Sequence, residues 1–187
     1  SLTMTKRKAI MYLIIFAVLV TAAQIWKTNY LADPASKLPD PCKMVISSQC
    51  QQYINKITAE KKYEETVAIQ KIRIRENEQL LKFFKKKIQD KCLFEMTAQE
   101  ADESLQACIG TPKGKRDYFL LKTADFTIRD ILVDSLAVSQ MQYSELHDKK
   151  AAEKTLKHAK KIIKDNKYFE KRADAFKIIE KEMSELK

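Results

Sequence analysis

The longest unbroken apolar stretch comes first. From Ala9 to Ala23 no residue carries a charge and all are apolar except Thr21; Ile25 and Trp26 extend the run past Gln24. A helix rising about 1.5 Å per residue over 9–26 would cover about 27 Å, against a hydrocarbon core of about 30 Å. Tyr12 and Trp26 suit the two interfaces. Lys6, Arg7 and Lys8 precede the run, whereas the ten residues after it carry only Lys27 and Asp33. That bias holds residues 1–8 in the cytoplasm and sends the remainder of the chain across the membrane. The basic lead-in and the small residues Thr21, Ala22 and Ala23 also fit a cleaved signal peptide. Residues 9–26 are therefore a transmembrane anchor or a signal peptide, and either one exports the rest.

Beyond the leader the pattern changes period. Residues 27–47 hold three of the four prolines and little apolar periodicity, as in "NYLADPASKLPDPC", and read as a linker. A helix is predicted from Ser48, which has capping-box spacing to Gln51. Apolar positions then recur at Tyr53, Ile57, Tyr63, Val67, Ile74, Leu81, Phe84 and Ile88. Most of these intervals suit one helical face, so the stretch is one extended helix or is kinked near Thr58. "TAQE" (Thr97 to Glu100) is a second capping box, opening a short helix that ends by Gly110. "GTPKGKRD" (Gly110 to Asp117) reads as a loop because it gathers both glycines and a proline. Helices are predicted from about Tyr118 or Asp125 to Leu146, from Lys149 to Lys164, and from Tyr168 onward. The turns between them fall at "HDKK" and "KDNK".

Composition sharpens this picture. Two glycines among 187 residues leave no material for sheet turns, a Rossmann loop or a phosphate loop. The fold class is all-α, with residues 48–187 forming an exported helical domain of antiparallel hairpins. A net charge of +10 fits nucleic acid, anionic lipid or an acidic protein. Export argues against nucleic acid, and no recognition-helix or zinc signature supports it. The stretch from Lys82 to Lys91, with Phe83 and Phe84 beside its lysines, is a candidate for anionic lipid contact. Cys42, Cys50, Cys92 and Cys108 all come after the leader, as two disulfides in an oxidising compartment would require. Three pairings exist. Proximity along the chain favours Cys42–Cys50 and Cys92–Cys108, the first requiring a turn between its partners. Zinc ligation is the weaker reading, since there is no CxxC and both histidines lie far away.

One segment supports a family resemblance. In Val133 to Asn166, Leu136 takes a large apolar position, Tyr143 an aromatic one and Asp148 the turn, while Ala152, Leu156 and Ala159 give a small–large–small pattern. This span is similar to a single tetratricopeptide (TPR) repeat. Gln140 and Lys164 stand where that family prefers glycine and proline. The resemblance implies a helical hairpin that binds peptides or helices, with Tyr143 and the lysines from Lys154 to Lys161 near the contact surface.

Candidate chemistry is sparse. His147 and His158 neighbour neither a cysteine nor a paired carboxylate in sequence, and no Gly-x-Ser-x-Gly occurs. The carboxylates alternate with lysines as on a solvated helix. The expectation is a protein without enzymatic activity, metal or cofactor: a membrane-anchored exported scaffold or adaptor that mediates protein–protein interaction in an envelope assembly. It would sit in a bacterial inner membrane, with the domain after the leader in the periplasm. The alternative is a secreted or periplasmic soluble protein, disulfide-stapled and helical, that binds an apolar small molecule or another exported protein. In that case the apolar side chains of the long helix would line a cavity.

Overall fold

The computed structural model describes residues 4–31, 37–88 and 112–187. Within them are α1 (Met4–Leu31), α2 (Ser48–Ala59), α3 (Tyr63–Lys87), α4 (Pro112–Ser144), α5 (Lys149–Lys164) and α6 (Arg172–Glu185), and no strand among the described residues. The all-α expectation holds. Cys92, Cys108 and the Thr97–Glu100 capping box lie outside the described residues.

The chain divides into two compact units, Ser1–Pro39 and Asp40–Lys187. In the first, α1 contains a stretch, Lys6–Gln24, that is long and apolar enough to be a membrane span or a signal sequence, and none of it is buried. The one polar residue in its apolar run is internally satisfied: the Thr21 hydroxyl donates to the Ala17 carbonyl at 2.8 Å, which removes most of the cost of a hydroxyl in hydrocarbon.

The second unit begins inside the stretch read as linker. A short 3-10 turn, Asp40–Cys42, leads to a disulfide between Cys42 and Cys50, whose Cα atoms are 4.4 Å apart and whose side chains are fully buried. The turn demanded by that pairing runs over Lys43–Ser47. Ser47, one residue before the expected cap, accepts from the Cys50 amide at 3.1 Å and starts α2. The bonded cysteine thus lies three residues into the helix, and the staple and the cap hold the same turn.

The chain breaks at Glu60–Lys62, just after the Thr58 position where a kink was expected. Lys61 adopts a left-handed conformation (φ 61°), and the Lys62 amide closes back onto the Ile57 carbonyl at 2.9 Å. From there α3 buries Val67, Ile74 and Leu81, and Ile88 just past its end is buried too, four apolar residues spaced by seven. They pack against Leu121, Ala124, Ile128, Ile131 and Val138 of α4. The two helices are antiparallel: Arg73 meets Asp134, while Tyr63 shares a recess with Tyr143. Helix α4 begins six residues before the expected Tyr118 start and thirteen before the alternative at Asp125, and includes most of the predicted loop. Pro112 occupies its first position, where the missing N–H costs nothing, and Gly114 is carried inside a 33-residue helix for about 1 kcal/mol.

Burial of Asp134 is compensated by a forked pairing. Arg73 Nε and Nη2 reach its two oxygens at 2.7 and 2.5 Å, and Arg73 Nη1 donates to Gln51 of α2 at 2.7 Å. Asp130, one turn earlier, has its pKa raised by desolvation and by the Asp134 charge, against a smaller pull from Arg73. The last two helices complete the core with Leu156, Ala159, Ile163, Ala175 and Ile179. Tyr168 and Phe169, expected at the start of the final helix, are buried in the connection before it.

Asp134→Ala leaves a buried guanidinium without its partner and is expected to cost about 3–5 kcal/mol, whereas Arg73→Met with Asp134→Leu recovers most of that loss; denaturant unfolding monitored by circular dichroism measures both. Because folding raises the pKa of Asp130, its contribution favours the fold at low pH and is lost as pH rises through the carboxylate range. Asp130→Asn should therefore be more stable than the parent at neutral pH, with the difference vanishing in acid, as thermal melts across that range would register.

Candidate functional site, a basic groove between two helices

The hairpin of α4 and α5 closes through a tight turn. The Glu145 and Leu146 amides both return to the Met141 carbonyl, the Asp148 amide returns to Gln142, and His147 takes the left-handed conformation (φ 52°). Asp148 then caps α5, its side chain accepting from the Ala151 amide at 3.0 Å. Helix α5 separates its residues cleanly. Ala152, Leu156, Ala159 and Ile163 are buried, so small side chains let it approach α4 closely. Seven lysines, at 149, 150, 154, 157, 160, 161 and 164, hold most of the remaining positions, with a single carboxylate, Glu153.

Both α3 and α5 lie beside α4, and a groove of about 370 Å³ opens between them. Ser135 and Gln142 of α4 line it, with Lys71, Arg75 and Glu78 on the α3 side and Lys154, Thr155 and His158 on the α5 side. The Thr155 hydroxyl donates to Gln142 Oε1 at 2.8 Å, fixing α5 to α4 from within the groove. A hydrogen bond between His158 Nε2 and Glu78 Oε1 bridges the two walls, and it is an ion pair when the imidazole is protonated. Three permanent cations against one carboxylate leave the groove positive. Such a surface attracts extended anionic segments; beneath the cations the Ser135 hydroxyl is committed to the Ile131 carbonyl at 2.6 Å and Thr155 to Gln142 and the Ala151 carbonyl.

The residues singled out from the sequence distribute unevenly around this feature. Lys154 lines the groove; Lys157 and Lys161 are exposed on the same helix, and Lys160 pairs with Glu180 of α6 at 3.2 Å. Tyr143 stands apart, half-buried, its hydroxyl accepting from the Lys187 amide at 3.2 Å in a different recess bordered by Glu182 and Glu185. His147 is an exposed turn residue. Cys42 and Cys50 are joined far along the chain from the groove. Lys71, Arg75 and Glu78 were not anticipated. Their spacing of four and three places them on one face of α3, a signal present in the sequence, but nothing local says that α5 faces them. No group of three or more His, Cys, Asp or Glu side chains is arranged to hold a metal ion among the described residues.

No protein-family model, curated protein or solved structure matches this chain. The segment similar to a TPR repeat is a helical hairpin with the small–large–small residues in its interface, but its first helix alone runs 33 residues, nearly the length of an entire repeat of that family.

Close approach of α5 makes Ala152 intolerant of volume. Ala152→Leu is expected to cost about 1–3 kcal/mol by overpacking, while Lys157→Gln on the solvated face stays within about 0.5 kcal/mol; paired thermal melts separate the two.

Proposed function

We propose that this protein is a membrane-anchored, exported helical adaptor whose positive groove between α3 and α5 receives an acidic segment of a partner protein in an envelope assembly. The observation that carries the reading is the partition of α5: an apolar side committed to α4, and a lysine-rich side beside the groove lined by Lys71, Arg75 and Lys154. A helix covered by lysines alone would be a solvated surface. Here Lys154 converges with Lys71 and Arg75 of α3 on a concave site, where charge complementarity can select a partner. Val67, Leu81 and Ile88 are packed in the core, and Ile74 alone of the four also borders the groove, which favours an interaction role over storage of an apolar small molecule.

The apolar run of α1 and the three cations before it support retention in a bacterial inner membrane, with the second unit in the periplasm. The Cys42–Cys50 disulfide suits that oxidising compartment. Partner choice would rest on charge complementarity, so association should be fast and sensitive to ionic strength.

A photo-crosslinker introduced at Lys154 of the full chain in native membranes should capture a protein through a Glu- or Asp-rich stretch. Lys71→Glu with Arg75→Glu should reduce that capture by about tenfold or more, in keeping with the cost of opposing like charges at a contact. Recovery of lipid or of this chain alone, or capture indifferent to the reversal, would contradict the adaptor reading.

A further inference from the structure

The α3–α4 pair has a second side, away from α5. Helix α2 covers it only in part: Ser47, Ser48 and Gln51 reach Arg73 and Asn77, where they share a recess with Asp130 and Val133. One heptad beyond Arg73 comes Leu80, and three residues further Phe83. On antiparallel α4, the residues one and two heptads before Val133 are Phe126 and Phe119. Helical periodicity therefore continues the Arg73–Val133 side along both helices past the end of α2. This continuation is apolar and open to solvent: Val133 is 66% exposed, Leu80 38%, Phe126 62%, Phe83 51% and Phe119 71%. Aromatic side chains of that size at such exposure are uncommon on a soluble surface without a partner.

Charge identifies the partner. Residues 79–88 contain four lysines, at 82, 85, 86 and 87, and no carboxylate; residues 118–129 contain Lys122 and Arg129 and one carboxylate, Asp125, which is buried. Two of the cations stand over the exposed rings, Lys87 Nζ 5.4 Å from the Phe83 centroid and the Arg129 guanidinium 5.3 Å from that of Phe126. Arg129 also pairs with Glu170 at 3.0 Å, so the excess positive charge rests mainly with the lysines. Within these two stretches the exposed aromatics are set among cations and the one carboxylate is buried, while the exposed Glu76 and Asp130 lie toward the α2 end of the face. This is the chemistry of a surface that seats rings at the headgroup boundary and ammonium groups among lipid phosphates.

We infer that this face, Leu80 and Phe83 of α3 with Phe119, Phe126 and Val133 of α4, lies on the surface of an anionic lipid bilayer. The groove beside α5 belongs to the other side of the same helix pair, so lipid contact leaves it open to a protein partner. Sequence connectivity agrees. Eight residues separate Leu31 from Asp40, a covalent reach of about 30 Å at most, and the second unit carries near its start Met44, 75% exposed, and Ile46, which shares the recess of Val133. The inference rests on the anchored reading for the origin of the bilayer, and the test keeps the two apart.

Trp26 is the only tryptophan, so tryptophan quenching by brominated lipid reports on α1 in the parent chain and on the proposed face in a Trp26→Phe, Phe119→Trp variant. Both full-length proteins are reconstituted into vesicles of phosphatidylcholine alone or of phosphatidylcholine with phosphatidylglycerol. Quenching of the tryptophan at 119 is expected with phosphatidylglycerol, falling by roughly half or more in its absence or after Lys82→Gln, Lys86→Gln and Lys87→Gln together. Circular dichroism verifies that each variant is folded. Quenching at 26 without quenching at 119 would overturn the lipid-facing surface while leaving the anchor intact. Equal quenching in both lipid mixtures would overturn its anionic preference. A blue-shifted emission at 119 in detergent that bromolipid does not alter would show the face covered by polypeptide instead.

Discussion

The ion pair between Arg73 and Asp134 is the constraint on which the rest of the body depends. The seam between α3 and α4 is apolar at intervals of seven, through Val67, Ile74, Leu81 and Ile88, and such a seam has no unique register. Sliding one helix by a heptad, about 10 Å, would exchange one aliphatic contact for another. It would also strand a guanidinium and a carboxylate that are 11% and 5% exposed, at a cost of several kcal/mol. The forked geometry allows one alignment, and the third nitrogen draws Gln51 of α2 into the same arrangement. A buried pair of this kind adds little net stability over apolar residues of equal volume, but it removes the alternatives. That alignment decides which residues of α4 line the groove beside α5, and which aromatic residues are left beyond the end of α2.

Local signals in the sequence were legible wherever a residue's structural role is decided by its near neighbours. The seven-residue spacing of α3, the start of α5 and the turn enclosed by Cys42 and Cys50 all depend on contacts within a few residues. The small errors have local causes too. Ser47 and Ser48 are equivalent as cap candidates until the disulfide fixes which amide lies within reach, and the break after α2 uses Lys61 with positive φ where glycine would ordinarily signal it. The loop expected over Gly110–Asp117 misread Pro112, because a proline beside glycines is both a loop marker and a favoured first residue of a helix. Its role depended on how far the apolar pattern of α4 extended. The groove was illegible for a different reason. His158 and Glu78 are 80 residues apart, and Arg73 and Asp134 are 61 apart. Nothing in either neighbourhood encodes the other.

The resemblance to a TPR repeat has the same physical origin. Ala152, Leu156 and Ala159 satisfy a packing rule that applies to any two antiparallel helices brought into close contact: small residues where the backbones approach, a large one to fill the space between them. That rule reports on a hairpin and not on what the hairpin belongs to, so the pattern was a sound guide to the α4–α5 interface and a weak one to ancestry.

The two cationic residue types are used for different purposes, and this bears on how the molecule meets partners. Arg73, Arg129 and Arg172 each make a directed bond: to Asp134, to Glu170 and to the Ile163 carbonyl. The planar fork of arginine suits such fixed pairings. Lysines instead cover α5 and the end of α3, where long mobile stems hold strongly hydrated ammonium groups in solvent. A surface built this way supplies a field rather than a template. It can accommodate a flexible acidic chain or a plane of lipid phosphates without demanding the geometry of either, because each ammonium group adjusts independently. Specificity must then come from what lies among the lysines. In the groove these are the Thr155 and Gln142 side chains, bonded to each other; on the opposite side they are phenylalanine rings. The same excess of positive charge thus serves two unlike surfaces, and the difference between them is set by the uncharged residues that the α3–α4 register brings to each.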